Sequence, residues 1–255
     1  MRDLSICIVN YNTKLLTIEC INSIYKNIQS IDFEIIVVDN GSSDGSAEII
    51  QKKFPEVKLI RNVQNLGFSK ANNQAIRASE GEFILLLNSD TYCINDVIKK
   101  MLDFIKTKPL AGIVGIRLLR PDMSTQRDTY TLPTLRTVLY HLIDIKKLLP
   151  ECLIRRLNDY ISFFLIIGGK EAKNYLKYEK LSHPMIVENI SGACMMVRRE
   201  VIESVGLLDE NIFLYYEDAD FCKRVLDGGW ELWLLPYTGI IHCVGASFGK
   251  SFVSF

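Results

Sequence analysis

The sequence predicts an α/β protein, a mostly parallel sheet flanked by helices. Two observations predict it. Short β-branched apolar runs alternate with segments whose apolar residues recur every three or four positions, from the start of the chain to residue 87. Three of those runs also end in polar clusters, Asn10-Tyr11-Asn12, Asp39-Asn40-Gly41 and Asn88-Ser89-Asp90. In parallel α/β sheets, ligands sit beyond the carboxyl ends of the strands, so these clusters are where chemistry is expected.

The elements follow in order. Residues 4–9 are a short apolar run closed by polar residues, a buried strand. Residues 14–28 place Leu15, Ile18, Ile21, Ile24 and Ile28 on one helical face. Residues 34–38 are β-branched and stop at Asp39-Asn40-Gly41, a strand and its turn. Helical spacing resumes over 44–53, capped by Ser43 or Asp44 and closed by Pro55. A strand over 57–61, a helix over 69–78 and the apolar strand 82–87 complete the first half. In the second half, 188–198 reads as a strand, 200–205 as a short helix, and 218–226 as a helix stopped by Gly228-Gly229. A last strand over 231–235 precedes Pro236. Order blurs between 117 and 181: 129–137 is rich in Thr, Pro and Tyr and reads as a loop, and 138–167 is apolar with Lys146, Lys147, Arg155 and Arg156 interspersed.

Composition narrows the class. The 255 residues suffice for one large domain, and 48% hydrophobic with 24% charged residues is ordinary for a globular protein. Thirty basic residues balance thirty acidic ones, which gives no case for nucleic acid. The seven cysteines lack any Cys-x-x-Cys pair, as expected of reduced, buried thiols. No leader-like segment precedes the first strand and no run is long enough to span a bilayer, so the expected location is the cytoplasm.

Three clusters carry candidate chemistry. Asp39, at a strand end beside Gly41, Ser42 and Ser43, can accept hydrogen bonds from a nucleoside, although a plain strand-end turn is the default reading. Asp90, after the most apolar strand, can hold a divalent cation through oxygen; Asn88-Ser89-Asp90 alone is a common turn. Glu217, Asp218 and Asp220 open a helix. They are either favourable charges at its positive end or a crowded set in which one raised pKa suits a general base. His242 is more often a packed or surface residue than a ligand, but its place near a strand end makes a site role plausible.

The order of these blocks resembles family 2 glycosyltransferases. The opening Ser5-Ile6-Cys7-Ile8-Val9-Asn10-Tyr11-Asn12, then Val37-Val38-Asp39-Asn40-Gly41-Ser42-Ser43-Asp44, Asn65-Leu66-Gly67-Phe68 and Leu87-Asn88-Ser89-Asp90 carry the likeness. The later Ser191-Gly192-Ala193-Cys194, Glu217-Asp218-Ala219-Asp220 and His242-Cys243-Val244-Gly245 resemble the branch that includes bacterial rhamnosyltransferases. The resemblance leaves out roughly residues 118–187. It implies a GT-A fold, with a nucleotide-binding Rossmann-like sheet in residues 1–117 and an acceptor-binding, base-bearing half in 118–255 of a single domain. It implies inverting transfer of a sugar from a dTDP- or UDP-linked donor, dTDP-rhamnose first, to a glycan or lipid-linked acceptor in the cell envelope. By the same analogy Val9, Asn10, Asp39, Gly67, Asn72 and Ser89 bind the donor nucleotide. Asp90 and His242 hold Mg²⁺ or Mn²⁺, with Asn88 in place of the first aspartate of the family's Asp-x-Asp motif. Asp218 is the base, with Glu217 as runner-up. Trp230 and Trp233 are candidates to lie near the acceptor, although burial is the more expected role.

Competing readings are a sugar nucleotidyltransferase and a non-catalytic nucleotide-sugar or carbohydrate-binding relative. The first normally carries a Gly-rich basic phosphate loop after its first strand, where this chain has Asn10-Tyr11-Asn12-Thr13. The Gln-x-x-Arg-Trp motif of processive synthases is missing, so addition of a single sugar or a few is expected. The chain stops at Phe255, soon after His242, where many relatives continue, which suggests a short member or a cut chain. Residues 138–167 read as a pair of core helices first and as a peripheral membrane contact second.

Overall fold

The computed structural model describes residues 2–28, 30–126, 131–132 and 181–243. The apolar 138–167 segment and most of the 129–137 segment lie outside them, so the membrane and loop readings do too.

In the first half, β1 (Arg2–Asn10), β2 (Phe33–Asp39), β3 (Lys58–Arg61) and β4 (Gly81–Asn88) alternate with α1 (Lys14–Asn27), α2 (Ser46–Lys53) and α3 (Phe68–Ala78). Then come β5 (Thr91–Cys93), α4 (Val97–Thr107) and β6 (Ala111–Ile116). The later residues form β7 (Met185–Val187), β8 (Cys194–Arg198), α5 (Arg199–Val205), α6 (Glu217–Asp227), β9 (Glu231–Leu235) and β10 (Ile240–His242).

One eight-stranded sheet runs β3-β2-β1-β4-β8-β6-β9-β7. Strands β3, β2, β1, β4, β6 and β9 point one way, and β8 and β7 point the other. The expected mostly parallel sheet is therefore present. Strands β7, β8 and β9, all from the second half, join it. A small second sheet pairs β5 with β10.

The strand sequences are continuous apolar runs because both sheet faces are covered. Leu4, Ile6 and Ile8 pack on one face with Cys20, Ile21 and Ile24 of α1 and with Val97, Met101 and Ile105 of α4. Cys7 and Val9 face the other way, among Ala71 and Ala75 of α3 and Phe221 and Val225 of α6. Fully burying each such large apolar side chain contributes about 1.5–3 kcal/mol, so the two-sided core is what fixes strand register. Among the described residues no helix is long and apolar enough to cross a membrane.

Two differences from the sequence reading have physical causes. The segment 188–198 is strand only over Cys194–Arg198, because the chain turns at Gly192-Ala193 and the Ala193 carbonyl accepts from the Asn88 amide at 3.1 Å. Sequence reading assigned no element between Asn88 and Arg117, where β5, α4 and β6 stand. Strand β6 holds two glycines that hide its strand character. Both are needed for close packing: a Cβ on Gly112 would lie 2.8 Å from the Trp230 side chain, and one on Gly115 would lie 2.5 Å from Ile190.

Candidate active site

The carboxyl ends of β1, β2 and β4 lie side by side, since register sets Asn10 opposite Asp39 and Val9 opposite Asn88. Strand β8 runs backward and begins at the same edge, with Cys194 opposite Leu87. Every polar cluster singled out in the sequence therefore borders one edge of the sheet.

Asp39 is buried and held on both oxygens. Its Oδ1 accepts from Asn10 Nδ2 at 2.5 Å and from Ser46 Oγ at 3.3 Å, and its Oδ2 accepts from the Ser42 amide at 3.2 Å. The turn that follows needs Gly41. Its φ is +81°, and a Cβ there would meet the Gln64 backbone at 2.6 Å. Asp44 ties two helix starts together: Oδ2 accepts from the Lys14 amide at 2.8 Å and Oδ1 from the Ser46 amide at 3.0 Å. Burial pushes the Asp44 carboxyl up, but the Ser46 hydroxyl, which donates to Oδ1 at 2.5 Å, and then these two amides outweigh it and hold the pKa below the ordinary range. Asp44 thus acts at helix starts, as the sequence suggested, although α2 begins at Ser46 and the residue before it is Gly45.

Asn10 has both ends of its amide engaged. Nδ2 also reaches Ser46 Oγ at 2.8 Å and Ser42 Oγ at 3.0 Å, while Oδ1 accepts from Thr13 at 2.7 Å and Thr17 at 2.8 Å. Thr13 Oγ1 then meets Ser89 Oγ at 2.9 Å. The strand end carrying Asp39 and the turn carrying Asp90 are joined by this buried route.

Asp90 and His242 meet because β5 pairs with β10. Thr91 is opposite His242, and the Cys243 amide donates to the Asp90 carbonyl at 2.9 Å. His242 Nε2 lies 3.3 Å from Asp90 Oδ1 and 3.4 Å from Asn88 Nδ2. On the other side of the ring, Nδ1 lies 3.0 Å from Gln126 Oε1. With that carbonyl accepting the Nδ1 proton, the Nε2 lone pair faces a carboxylate oxygen, and a shared positive charge satisfies both. Asn88 Oδ1 is buried with no hydrogen-bond partner, a further oxygen of the kind hard cations take. Among the described residues no group of three or more His, Cys, Asp or Glu could hold a metal. The donors present are one carboxylate, one imidazole and one amide oxygen, and Mg²⁺ or Mn²⁺ would fit them, because such ions bind through one or two protein ligands and keep waters or phosphate oxygens at their other positions.

The acidic start of α6 reaches the same edge. Asp218 Oδ2 accepts from the Gly192 amide at 3.1 Å, beside the turn that feeds β8. Glu217 is buried, with Oε2 unpartnered. Burial, reinforced by the Asp218 charge, pushes its pKa up to about 7. Burial outweighs the neighbouring like charge as the cause. Asp220 is paired with Arg224 at 2.9 Å and turned to structure.

The loop before α6 is fastened to the start of α3. The Phe68 amide donates to the Phe213 carbonyl at 2.7 Å, and Ser69 Oγ donates to the Ile212 carbonyl at 2.7 Å. Gly67 has φ +90°, and its carbonyl accepts from Asn40 Nδ2 at 3.2 Å. Tyr215 and Tyr216 follow with left-handed φ of +67° and +69° and exposed rings. Such backbone is strained for tyrosine and is typical of functional segments.

Of the candidates from sequence, Asn10, Asp39, Ser89, Asp90, His242 and Asp218 gather at this edge with polar groups engaged there. Val9 offers backbone only, its side chain being in the core. Asn72 is buried and donates to the Phe68 carbonyl of its own helix at 3.0 Å. Trp230 and Trp233 are partly buried and pack against the two sides of the core. Trp230 precedes β9 at the opposite sheet edge, and the Trp233 ring packs edge-on against Phe104 at 5.5 Å. Sequence reading missed Thr13, Thr17, Gly192 and Gln126. The threonines did leave a signal, two hydroxyls four positions apart at the start of α1. Gln126 left none, because a turn at 119–125 pairing with β10 brings it to His242.

The fold is of the GT-A type. Solved structures that share it include a Pyrobaculum calidifontis mannosyltransferase, PcManGT, in complex with GDP-Man and Mn²⁺, at TM-score 0.63 and 16% identity over 96% of this chain and 59% of that one. S. aureus TarS 1-349 in complex with UDP gives TM-score 0.62 and 19% identity over 96% and 62%. The model of glycosyl transferase family 2 matches residues 5–206, and the chain belongs to that family. Its likeness falls in the rhamnosyltransferase-like branch. The N-acetylglucosaminyl-diphospho-decaprenol L-rhamnosyltransferase of Mycobacterium tuberculosis is 27% identical over 85% of this chain and 68% of its own length. The dTDP-rhamnosyl transferase RfbF of Shigella flexneri is 26% identical over 93% and 68%. The hexosyltransferase Agl10 of low-salt glycan biosynthesis in Haloferax volcanii is 30% identical over 87% and 61%. The chain therefore spans about two thirds of the length of these three curated relatives and about six tenths of these two solved structures.

Proposed function

We propose that the chain is an inverting glycosyltransferase that moves a single sugar from a nucleoside diphosphate to a hydroxyl of a glycan or lipid-linked acceptor, in bacterial surface polysaccharide synthesis. Rhamnose on dTDP is the first donor to test, because two relatives are named for rhamnosyl transfer; UDP-linked sugars follow. One observation carries the reading: Asp39, the Asp90–His242 pair and Asp218 border one sheet edge and are tied to it by hydrogen bonds.

In this reading the chain is one GT-A domain, with residues 1–117 holding the donor and 118–255 supplying the acceptor side. Asp39 takes hydrogen bonds from base and ribose, with Val9, Asn10, Gly67 and Ser89 around it. Asn72 acts by holding the first turn of α3 in place. Asp90 and His242 hold Mg²⁺ or Mn²⁺, whose chemistry there is to neutralise charge on the departing diphosphate. Asp218 removes the acceptor proton as that oxygen bonds to the anomeric carbon from the face opposite the diphosphate, and the carbon–phosphate-oxygen bond breaks. Attack from that face inverts the anomeric centre. A lipid-linked acceptor would place the protein at the cytoplasmic face of the plasma membrane.

The test is a binding and hydrolysis screen of dTDP-rhamnose, UDP-glucose, UDP-N-acetylglucosamine and GDP-mannose, with Mn²⁺ and with EDTA. Specific binding raises the melting temperature by mass action. A chelator-sensitive shift with one donor is expected; indifference to every sugar nucleotide in both conditions defeats the proposal.

A further inference from the structure

The buried route through Thr13 carries a consequence beyond the roles above. Thr13 is 4% exposed, and its hydroxyl touches Asn10 Oδ1 at 2.7 Å, Ser89 Oγ at 2.9 Å and Thr17 Oγ1 at 3.2 Å. A hydroxyl gives one proton and accepts two. Asn10 Oδ1 is an acceptor alone, so the Thr13 proton belongs to it, and Ser89 is left as a donor to Thr13. Asn10 in turn donates to Asp39. The donors run in one direction: Ser89 to Thr13, Thr13 to Asn10, Asn10 to Asp39. The two ends are the immediate neighbour of Asp90 and the carboxylate at the nucleoside side. Chains of hydrogen bonds polarise one another, and a charge at one end is felt along them.

We propose that Thr13 is a positioning residue that couples divalent-cation binding at Asp90 to nucleoside diphosphate binding at Asp39. The proposal rests on the donor and cation roles given to those two aspartates. A cation at Asp90 fixes the Ser89 turn, the Ser89 hydroxyl fixes Thr13, and Thr13 holds the Asn10 amide that orients Asp39. By linkage the effect runs both ways, so bound nucleotide tightens the cation to the same degree.

The experiment is calorimetric titration of UDP and dTDP into the full chain with and without Mn²⁺, with no turnover involved. In the wild type Mn²⁺ raises nucleotide affinity. Thr13→Val removes the hydroxyl at nearly constant volume and is expected to cut that enhancement by about tenfold, while metal-free affinity changes little. Thr13→Ser keeps the hydroxyl and restores the enhancement. Thr13→Ala, which removes the hydroxyl together with its methyl, gives the same loss. Should Thr13→Val prove unstable, Thr13→Ala decides alone. Full enhancement in Thr13→Val or in Thr13→Ala overturns the proposal and leaves the catalytic reading standing. So does an equal weakening with and without Mn²⁺, or a serine variant no better than valine. A wild type that binds neither nucleotide overturns the catalytic reading, and the coupling with it.

Discussion

His242 Nε2 sits 3.3 Å from Asp90 Oδ1 because β10 pairs antiparallel with β5, which sets His242 opposite Thr91. Two acceptors at that separation call for a proton or a metal ion between them. On the other side of the ring Gln126 Oε1 lies 3.0 Å from Nδ1, and by accepting a proton there it would leave the Nε2 lone pair facing Asp90.

Gln126→Ala should therefore weaken Mn²⁺ without touching a ligand. Losing a partner of this kind costs about 10–100-fold in metal affinity. Mn²⁺ titration followed by electron paramagnetic resonance reads the change directly. An unchanged affinity would mean that the ring is oriented by packing alone and that the contact has no part in cation binding.

Asp218→Asn separates proton removal from binding. The amide keeps an oxygen to accept from Gly192, 3.1 Å from Oδ2 in the native site. Nucleotide affinity should hold while transfer falls by about 10²–10⁴-fold, the usual contribution of a general base. Equal losses of nucleotide binding and of transfer would assign the residue to binding instead.

The strands and helices of the nucleotide-side half were legible because β1, β2 and β4 are buried on both faces and α1 and α3 on one, which writes their periods into the sequence. The edge rule then led straight to Asn10, Asp39 and Asp90. The network around them was not legible, because Thr13 to Ser89 is a contact across 76 positions and Asn88 to His242 one across 154. Such pairs are set by the order β1-β4-β8 and by the β5–β10 pairing, both products of tertiary packing. Strand β6 escaped for a local reason, as its two glycines exist to admit Trp230 and Ile190 and weaken the strand pattern in doing so.

Gly67→Ala should destabilise the fold through the joint between α3 and the loop before α6. With φ +90° and ψ 165° the position belongs to backbone that is almost reserved for glycine, at a cost of about 1–3 kcal/mol for other residues. The added Cβ would also stand 2.8 Å from the Phe213 ring and 2.9 Å from its carbonyl oxygen. Gly192→Ala is the control, since its nearest neighbours are 3.7 Å away. Urea unfolding should show a clear loss for the first and little change for the second. Equal effects would mean that the Gly67 joint yields freely.

Glu217→Gln should stabilise the protein above neutral pH and do little below pH 4.5. Burial lifts the native pKa from the ordinary glutamate value of 4.5 to about 7, so between those values the folded state binds a proton that the unfolded state releases. Stability from this group is present in full below pH 4.5 and is lost as pH rises to about 7, beyond which a buried charge with an unpartnered Oε2 must be carried. Glutamine carries no charge at any pH. The wild type should thus fall behind the variant by a margin that grows across this window and then levels off, up to about 3 kcal/mol at 1.36 kcal/mol per pKa unit. Denaturant unfolding of both proteins at pH 4, 5, 6, 7 and 8 gives the margin directly. A margin that stays flat would show that the Glu217 carboxylate is as well solvated or paired in the fold as in the open chain, and its burial would then have no bearing on acid–base chemistry beside Asp218.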